Sequence, residues 1–426
     1  MRVELAFGEK DITVEIPENS LIDVIELPYL PPMSQPRMAV RRALESPVDS
    51  PSLLSLARAK RNAVILVPDR TRPAPVELLL SEILSVLEEG GMSRDNITII
   101  IGLGTHRPMT THEITELVGR DITETVRVSN HEWWNEEELV DIGTTCNGTR
   151  IHINRMVWNA ELKIALGGVK PHRAAGWSGG AKMIQPGVSG PMTTGYTHWL
   201  SAHFGVEEIL GVEDNPVRQE MEEIAGRIGL DFVVNYVLNG SYEMIGVSAG
   251  HYVGAHRTCV RIARPIYVKR ISELADIVIS GSSPASSNMW ANGTGPNSAE
   301  LVMKEGSTIV LAAPCPDGVA KEHPDVIKFG YRSLEDVRGL VESGEITDLC
   351  AAAHLVHAGS KLHNRRARCI LSSTGVGPEE AARLGVQHVN NPQKAVDMAF
   401  ARHGKNARVY VYPCNTFADF VIERGY

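Results

Sequence analysis

The 426-residue sequence has no run of about 18 consecutive apolar residues, the length that a membrane-spanning helix requires. Its first sixteen residues, MRVELAFGEKDITVEI, lack the apolar core of a secretory signal. The six cysteines are scattered without CxxC spacing, as is usual for reduced thiols. We therefore expect a cytoplasmic protein with no membrane partner.

Strong positive charge is also lacking, since the formal net charge is -9 at pH 7. General nucleic-acid binding needs a basic face, so nucleic acid is not an expected partner, although a local basic pocket is compatible with this charge. The sequence contains neither a GxSxG motif nor a Walker loop, and it has no complete GxGxxG fingerprint. The missing fingerprint counts against a conventional NAD-dependent enzyme.

Short apolar strands that alternate with helical patterns are present throughout the chain. The strand candidates are Asn62–Val67, Asn96–Ile101, Leu162–Leu166, Leu274–Ser280, Ser307–Ala312, Cys369–Ser373 and Val409–Tyr412. This alternation predicts an α/β fold with mostly parallel sheets, and the length exceeds what one hydrophobic core serves. We predict two mixed or mostly parallel α/β domains with the active site in the cleft between them.

The domain boundary is expected near residues 266–269. The N-terminal domain, residues 1–267, begins with a β-hairpin at Val3–Ile16 and carries the reactive motifs. The C-terminal domain, residues 268–426, is expected to contribute to the substrate pocket. The sequence leaves open whether the last strand returns to the N-terminal domain.

One stretch, Leu166–His198, contains eight glycines and three prolines around His172, Lys182 and His198. Glycine gives no side chain to bury, so a glycine-dense loop usually lets backbone approach something closely. Each polar residue alone is more often a surface or loop residue than a functional one. Their grouping within one glycine-rich frame favours a functional site.

Polar side chains follow three of the predicted strands directly. Asp69 and Arg72 come after the first strand, His106 and Arg107 after the second, and the stretch with His172 and Lys182 after the third. Ligands of open α/β sheets bind beyond the carboxyl ends of the strands. Because the connections are short, we expect these loops to lie along one edge of the sheet.

Three other patterns give weaker hypotheses. Cys350, His354, His357 and His363 suggest a zinc site, although histidines at helical spacing usually belong to a solvated face. The loop Thr374–Gly377 suggests a phosphate cradle, and residues 130–134 (NHEWW) suggest a packed aromatic turn or part of a pocket wall.

The blocks Asp69–Pro73, Gly104–Arg107 and Pro171–Gly187, followed by His198, resemble the nickel-dependent lactate racemase family. These blocks are spread over most of the N-terminal domain, whereas the C-terminal half matches only in general character. The resemblance implies a nickel-pincer nucleotide, a pyridinium mononucleotide with two thio-acid groups that hold nickel through carbon and two sulfurs. It also implies that cofactor-biosynthesis proteins are partners, and a homo-oligomer is compatible with it.

The resemblance also assigns residue roles. Lys182 matches the lysine that joins the cofactor through a thioamide, and His198 matches the histidine that completes the nickel coordination. His106 and His172 match the two acid/base histidines, and Arg72 matches a substrate-binding arginine. Further cofactor contacts are expected in the same loops, from Asp69, Thr71, Gly179 and Gly180.

The family has a lysine in the C-terminal domain that helps to hold the lactate carboxylate. We expect its counterpart within Ser286–Gly295, where this chain has Trp290, Asn292 and no lysine. Trp290 and Asn292 are therefore expected to bind the substrate. This departure favours a substrate other than lactate, and it leaves open a short aliphatic acid, malate or another dicarboxylate, an aromatic acid, and a sugar acid such as an aldonate.

The function implied is racemisation or epimerisation of a 2-hydroxy acid by hydride transfer through a 2-keto acid. Histidine suits the proton steps because its usual pKa of about 6.5 lets it take and give a proton near neutrality. The alternative is a protein that binds or stores the cofactor without catalysis. Such a protein would need Lys182 and His198 but neither His106 nor His172, so the presence of both favours an enzyme.

Overall fold

The computed structural model describes residues 1–71, 74–415 and 419–425. Within them the strands are β1 (Arg2–Phe7), β2 (Lys10–Glu15), β3 (Leu21–Val24), β4 (Ala63–Pro68), β5 (Ile97–Gly102), β6 (Arg127–Asn130), β7 (Leu139–Thr144), β8 (Arg150–Asn154), β9 (Leu162–Gly168), β10 (Pro171–His172), β11 (Gly176–Trp177), β12 (Phe232–Leu238), β13 (Met244–Gly250), β14 (Val268–Ile271), β15 (Ala275–Ser282), β16 (Met303–Ala312), β17 (Arg368–Ser372), β18 (Gln387–Val389), β19 (Val409–Asn415) and β20 (Val421–Arg424).

The helices in the same residues are α1 (Pro36–Glu45), α2 (Leu53–Arg58), α3 (Val76–Glu89), α4 (Thr111–Val118), α5 (Arg120–Thr125), α6 (Arg155–Asn159), α7 (Pro191–Ala202), α8 (Val206–Ile209), α9 (Pro216–Ile228), α10 (Gly254–Tyr267), α11 (Met289–Asn292), α12 (Ala299–Val302), α13 (Asp325–Phe329), α14 (Leu334–Glu342), α15 (Leu349–Asn364), α16 (Pro378–Arg383) and α17 (Pro392–His403). Short 3-10 turns occur at Arg94–Asn96, Glu136–Glu138 and Gly180–Met183. The predicted α/β class is therefore confirmed.

The chain divides into two compact units, and each is made of separate segments. The N-terminal unit consists of Leu27–Thr197 and Val212–Ile266. The C-terminal unit consists of Met1–Glu26, His198–Gly211 and Tyr267–Tyr426. The sequence prediction had assigned all of residues 1–267 to one domain, so it differs from the structure at residues 1–26 and 198–211.

Strand pairing explains this difference. The hairpin of β1 and β2 forms as predicted, but β1 also pairs in parallel with β15, and β3 pairs with β19. The last predicted strand, within β19, pairs in parallel with β15 and so lies in the C-terminal unit. It does not return to the N-terminal sheet. The alternating sequence pattern predicts that residues 3–16 form strands. The same pattern does not predict that β1 pairs with a strand more than 250 residues away.

The sheet of the N-terminal unit has the strand order β13-β12-β9-β4-β5-β6. Strands β12, β9, β4, β5 and β6 are parallel, and β13 is antiparallel to β12. From β4 the chain proceeds outward to β5 and β6, and it then returns to the other side of β4 with β9. The order therefore reverses between β4 and β9, which is where open α/β sheets bind ligands.

The central strands of this sheet are apolar over nearly their whole length. All six residues of β4 and the first six of β9 are buried, as expected for parallel strands that helices cover on both faces. Helix α3 packs seven buried side chains against the core at helical spacing. Helix α3 ends at Gly90, as the sequence predicts. Because α3 and the strands share one buried core, this core holds the carboxyl ends of β4, β5 and β9 in place.

The sheet of the C-terminal unit has the order β18-β17-β16-β15-β1-β2, with β19 also paired to β15 and β3 to β19. Its core contains the buried faces of β1, β15, β16 and β19 together with helix α17. In the part of the chain that the structure describes, no helix is both long and apolar enough to cross a membrane.

Candidate active site

His106 and Asp69 form the best-defined polar pair at the edge of the N-terminal sheet. Asp69 directly follows β4, and His106 lies four residues beyond β5. The His106 Nδ1 atom lies 2.6 Å from Asp69 Oδ2, and the other carboxylate oxygen accepts hydrogen bonds from Thr71 N (3.1 Å) and Thr71 Oγ1 (2.5 Å). The Asp69 carboxylate is buried, whereas the His106 side chain is 46% exposed. A buried carboxylate therefore contacts an imidazole that is still partly open to solvent.

The loop that carries His106 is fixed from two sides. Trp133 Nε1 donates to the His106 carbonyl oxygen at 2.9 Å, which gives the predicted aromatic turn a role in bracing this loop. Glu113 accepts from Arg107 and Arg70, each at 2.6 Å, and completes a capping box with Thr110 at the start of α4. The hydrogen bond from Arg107, with the Thr110 amide, lowers the pKa of Glu113 to about 2. Glu113 is therefore anionic at neutral pH and holds both arginines.

His172 and Lys182 lie on one glycine-rich loop after β9. His172 lies in the short hairpin of β10 and β11, whose strands have two residues each. Its Nδ1 atom accepts from Ala174 N at 3.2 Å. Lys182 lies in the 3-10 turn Gly180–Met183, and both side chains are half-buried. The loop also contacts the His106 loop, because Gly104 N donates to Gly187 O at 2.9 Å. The structure thus brings the loops of His106, His172 and Lys182 into one region of the N-terminal unit.

Glycine is required in this loop by close backbone packing. A Cβ atom on Gly167 would lie 2.9 Å from Gly179 Cα. Gly179 has a φ of +78°, and a Cβ atom there would lie 2.9 Å from Asn235 Oδ1. Both positions therefore exclude a side chain, which explains the glycine density that marks this stretch in the sequence.

Buried side chains from three distant elements support the same loop. Arg218 on α9 is fully buried and donates to the carbonyl oxygens of Ala175 (3.3 Å), Trp177 and Gly179 (3.2 Å). Burial lowers the pKa of Arg218 to about 10, so it remains a cation at neutral pH. His256 on α10 lies 2.9 Å from the Ser178 carbonyl through Nε2. These contacts define the loop's shape.

Asn235 on β12 is the third support. Its Oδ1 atom accepts from Gly180 N at 2.9 Å, and its Nδ2 atom is buried without a hydrogen-bond partner among the described residues. Sequence reasoning missed Arg218, Asn235 and His256. None of them lies in a motif, and their relation to the loop depends on the tertiary fold alone.

The remaining predicted site residues are placed as follows. Arg72 lies outside the described residues. His198 is on α7 and belongs to the C-terminal unit, where it is half-buried and its carbonyl accepts from Ser201 Oγ at 2.6 Å. Trp290 and Asn292 are on α11, also in the C-terminal unit.

Trp290 is stacked between two imidazoles. Its ring centroid lies 3.8 Å from that of His323 and 4.4 Å from that of His354. His323 Nδ1 is in turn 2.6 Å from Asp348 Oδ2. Burial, with the nearby charges of His323 and Lys361, lowers the pKa of His354 to about 3. This second Asp–His pair was not predicted from the sequence.

Asn292 is engaged largely by its own loop. It is 2% exposed, and its Nδ2 atom donates to the carbonyl oxygens of Ser286 (2.7 Å) and Asn288 (2.9 Å). Its amide nitrogen therefore stabilises the turn around α11, and only its Oδ1 atom, which has no hydrogen-bond partner among the described residues, remains for another contact. Its predicted role in substrate binding stays a prediction.

The weaker sequence hypotheses are not supported by the local geometry. His357 contacts Ser201 Oγ, and His363 contacts the Tyr331 carbonyl, so the histidines of α15 diverge. Among the described residues no three His, Cys, Asp or Glu side chains are grouped as metal ligands. In the Thr374–Gly377 loop, the amides of Gly375, Val376 and Gly377 donate to protein acceptors and are not directed at an anion.

Comparison with known proteins gives one consistent result. Residues 7–207 match the family described as the lactate racemase N-terminal domain. A lactate racemase from Thermoanaerobacterium thermosaccharolyticum is 31% identical over 323 residues, covering 74% of this chain and 75% of that protein. A lactate racemase from Lactiplantibacillus plantarum is 27% identical over 429 residues, covering 96% and 97%.

The fold agrees with this result. The structure of the lactate racemase apoprotein from T. thermosaccharolyticum has a TM-score of 0.86 against this chain, with 25% sequence identity, covering 99% of this chain and all of that one. The similarity therefore extends over both units.

Proposed function

The chain belongs to the lactate racemase family, and we propose on this premise that it is a nickel-pincer nucleotide-dependent racemase or epimerase of a 2-hydroxy acid. The coarser statement, that it is an isomerase acting on a hydroxy acid, follows from the family. The observation that carries the finer proposal is that His106, His172 and Lys182 lie on two loops that follow strands of the N-terminal sheet and contact each other through Gly104 and Gly187.

The residues present fit the implied cofactor. The lysine loop offers an amine, which can form an amide-type bond with a thio-acid, on a backbone that glycine keeps free of side chains. Beneath it, the buried Asn235 Nδ2 atom is a donor without a partner among the described residues. We propose that Lys182 holds the group covalently, that Thr71, Gly179 and Gly180 contact it, and that His198 provides a nickel ligand, since imidazole suits nickel.

Inversion of a 2-hydroxy acid requires cleavage of the Cα–H bond. Removal of that hydrogen as a proton, next to a carboxylate, would place two negative charges side by side. Removal as hydride avoids this cost, provided that the hydroxyl proton leaves as well. When bound, the cofactor supplies the hydride acceptor.

The protein's own residues carry the proton steps. We propose that His106 accepts the hydroxyl proton of one enantiomer and that His172 does so for the other, because the two enantiomers present the hydroxyl group differently. The product of these proton and hydrogen losses is a planar 2-keto acid, which could turn in the site so that either face is open to reduction. Arg72 is proposed to hold the carboxylate in a bidentate fork.

The substrate is proposed to differ from lactate. The segment 286–295 contains no lysine, and Trp290 is stacked between His323 and His354. An aromatic and imidazole surface of this kind suits a larger or more hydroxylated acid than lactate. A panel should therefore include lactate, malate, an aromatic 2-hydroxy acid and an aldonate.

The deciding experiment is intact mass and metal analysis of protein made in a host that builds the cofactor. We expect a nucleotide-sized adduct with stoichiometric nickel on the wild type and on a Lys321→Ala control, whose lysine is exposed. Lys182→Ala should lack the adduct. An unmodified wild-type protein, or an adduct that persists in Lys182→Ala, would contradict the proposal.

The alternative of a cofactor-storage protein is separated by activity. Loaded protein should interconvert the isomers of at least one acid in the panel, followed by optical rotation. His106→Ala and His172→Ala should each keep the adduct and lose turnover. Adduct without activity on any acid would favour storage, and a loaded His172→Ala variant with full activity would exclude the two-base scheme.

A further inference from the structure

The two oxygens of the Asp69 carboxylate have separate tasks. Oδ1 accepts from the Thr71 amide and hydroxyl, and Oδ2 faces His106 Nδ1 at 2.6 Å. A buried ionised carboxylate can only accept hydrogen bonds, so the proton of this contact belongs to Nδ1 of the imidazole. In the neutral ring, Nε2 then carries the lone pair. The side chain as a whole is 46% exposed, which keeps this ring accessible.

We propose that Asp69 is the positioning residue that fixes the tautomer of His106, so that Nε2 is the base for the substrate hydroxyl. This inference rests on the proposed function for its catalytic part, whereas the tautomer itself follows from the contacts. It differs from the sequence prediction for Asp69, which was a cofactor contact. A carboxylate that orients a histidine in this way also stabilises the imidazolium that forms when the ring takes a proton.

The contact with the Thr71 amide predicts how an asparagine side chain would be oriented at position 69. In an Asp69→Asn variant the amide has one acceptor oxygen and one donor nitrogen. The backbone N–H of Thr71 can only donate, so it retains the amide oxygen on its side. The amide NH₂ group then faces His106 and donates to Nδ1. The neutral ring must move its own proton to Nε2, which removes the lone pair from the atom that is to accept the substrate proton.

The direct test is histidine nitrogen NMR on the unloaded protein, labelled with ¹⁵N-histidine, because the two tautomers have distinct Nδ1 and Nε2 shifts. A His106→Gln variant identifies the His106 signals. We expect the Nδ1–H tautomer in the wild type and the Nε2–H tautomer in Asp69→Asn. An unchanged tautomer in Asp69→Asn would overturn the proposal.

The second Asp–His pair provides a matched control. Asp348 Oδ2 also lies 2.6 Å from a histidine Nδ1, that of His323, and its Oδ1 accepts from the amides of Cys350 (2.9 Å) and Ala351 (3.1 Å). Asp348→Asn should therefore change the His323 signals by the same logic and leave those of His106 as in the wild type. A Thr71→Val variant, which keeps the carboxylate and the amide, should retain the wild-type tautomer of His106.

The kinetic test uses loaded enzyme. If Asp69 acts through His106, Asp69→Asn should keep the adduct on Lys182, lose roughly 10²- to 10⁴-fold in kcat, and change KM by no more than a few-fold, as expected for a histidine in the wrong tautomer. Loss of the adduct in Asp69→Asn would instead identify Asp69 as a cofactor contact, and a switched tautomer with normal kcat would remove its role in the reaction. If the wild type carries no adduct, the proposed function fails, while the NMR result still decides whether Asp69 sets the tautomer.

Discussion

At the scale of single residues, the sequence reveals the reactive groups better than their partners. His106, His172 and Lys182 stand out because glycine and proline surround them next to strand ends. Asp69 also stands out, but its contact with His106 crosses 37 positions and depends on the parallel register of β4 and β5. A side-chain pair of this kind cannot be predicted until the register is known.

Trp290 illustrates the same limit in the C-terminal unit. Its position in a loop rich in serine and asparagine predicts a pocket residue, yet the stack with His323 and His354 comes from segments 33 and 64 residues further along the chain. The sequence therefore gives the residue type at this position, whereas the fold gives its surroundings.

We expect Trp290→Ala to lower the free energy of unfolding by roughly 2–4 kcal/mol, because a half-buried indole loses both stacked neighbours. Trp290→Phe keeps a flat ring and should cost less than about 1.5 kcal/mol. Chemical denaturation measures both changes. A Trp290→Ala protein as stable as the wild type would mean that the stack contributes no net stability.

At the scale of elements, the β4, β5 and β9 strands and helix α3 follow from apolar periodicity and from Gly90 at the end of α3. The loop between β9 and α7 does not follow from periodicity. It has little regular structure of its own, and its shape is determined by Arg218, Asn235 and His256 from α9, β12 and α10. The shape of this loop therefore cannot be predicted from its own sequence, because it depends on contacts with distant segments.

We expect Arg218→Met to disorder this loop. The change removes the side-chain donor from three buried carbonyl groups. The Ala175 and Gly179 carbonyls still accept from the backbone amides of Trp177 and Lys182, so the loss of stability should be roughly 1–3 kcal/mol. Hydrogen exchange of the amides in residues 176–188 should accelerate strongly.

Arg227→Met on the same helix is the matched control. Arg227 is 39% exposed in its side chain and bonds to the Thr144 carbonyl and to Glu223. Its replacement should leave exchange in residues 176–188 as in the wild type. Equal effects of the two substitutions would mean that helix α9 acts as a whole and that Arg218 has no specific part in holding the loop.

At the scale of the whole molecule, length and strand alternation predict two α/β units, but not that each is discontinuous. Residues 1–26 join the C-terminal unit because β1 pairs with the end of β15, at Phe7 and Ser282, and β3 pairs with β19, and no local pattern encodes these pairings. Both units also contain histidines that are withdrawn from solvent. His131 and His256 are fully buried in the N-terminal unit, and His354 in the C-terminal unit is half-buried with a buried Nε2 atom.

These histidines predict how stability depends on pH. Burial lowers the pKa of His131 to about 4 and that of His354 to about 3, and burial with the charges of Arg218 and Arg257 lowers the pKa of His256 as well. In the unfolded chain the pKa returns to about 6.5, so the unfolded chain binds more protons as the pH falls below that value. Above about pH 6.5 these histidines therefore do not lower the free energy of unfolding. Below that value they lower it progressively towards pH 4.

We expect His131 alone to account for roughly 3 kcal/mol of this loss, since a tenfold change in proton affinity corresponds to about 1.4 kcal/mol. Denaturant unfolding at a series of pH values between 7 and 4 measures the slope. His131→Gln should be less stable at pH 7, because the Ser189 and Asn154 contacts are lost, but its slope should be flatter. His112→Gln, at an exposed position on α4, should keep the wild-type slope, and a His131→Gln slope equal to that of His112→Gln would show that this buried ring does not cause the acid sensitivity.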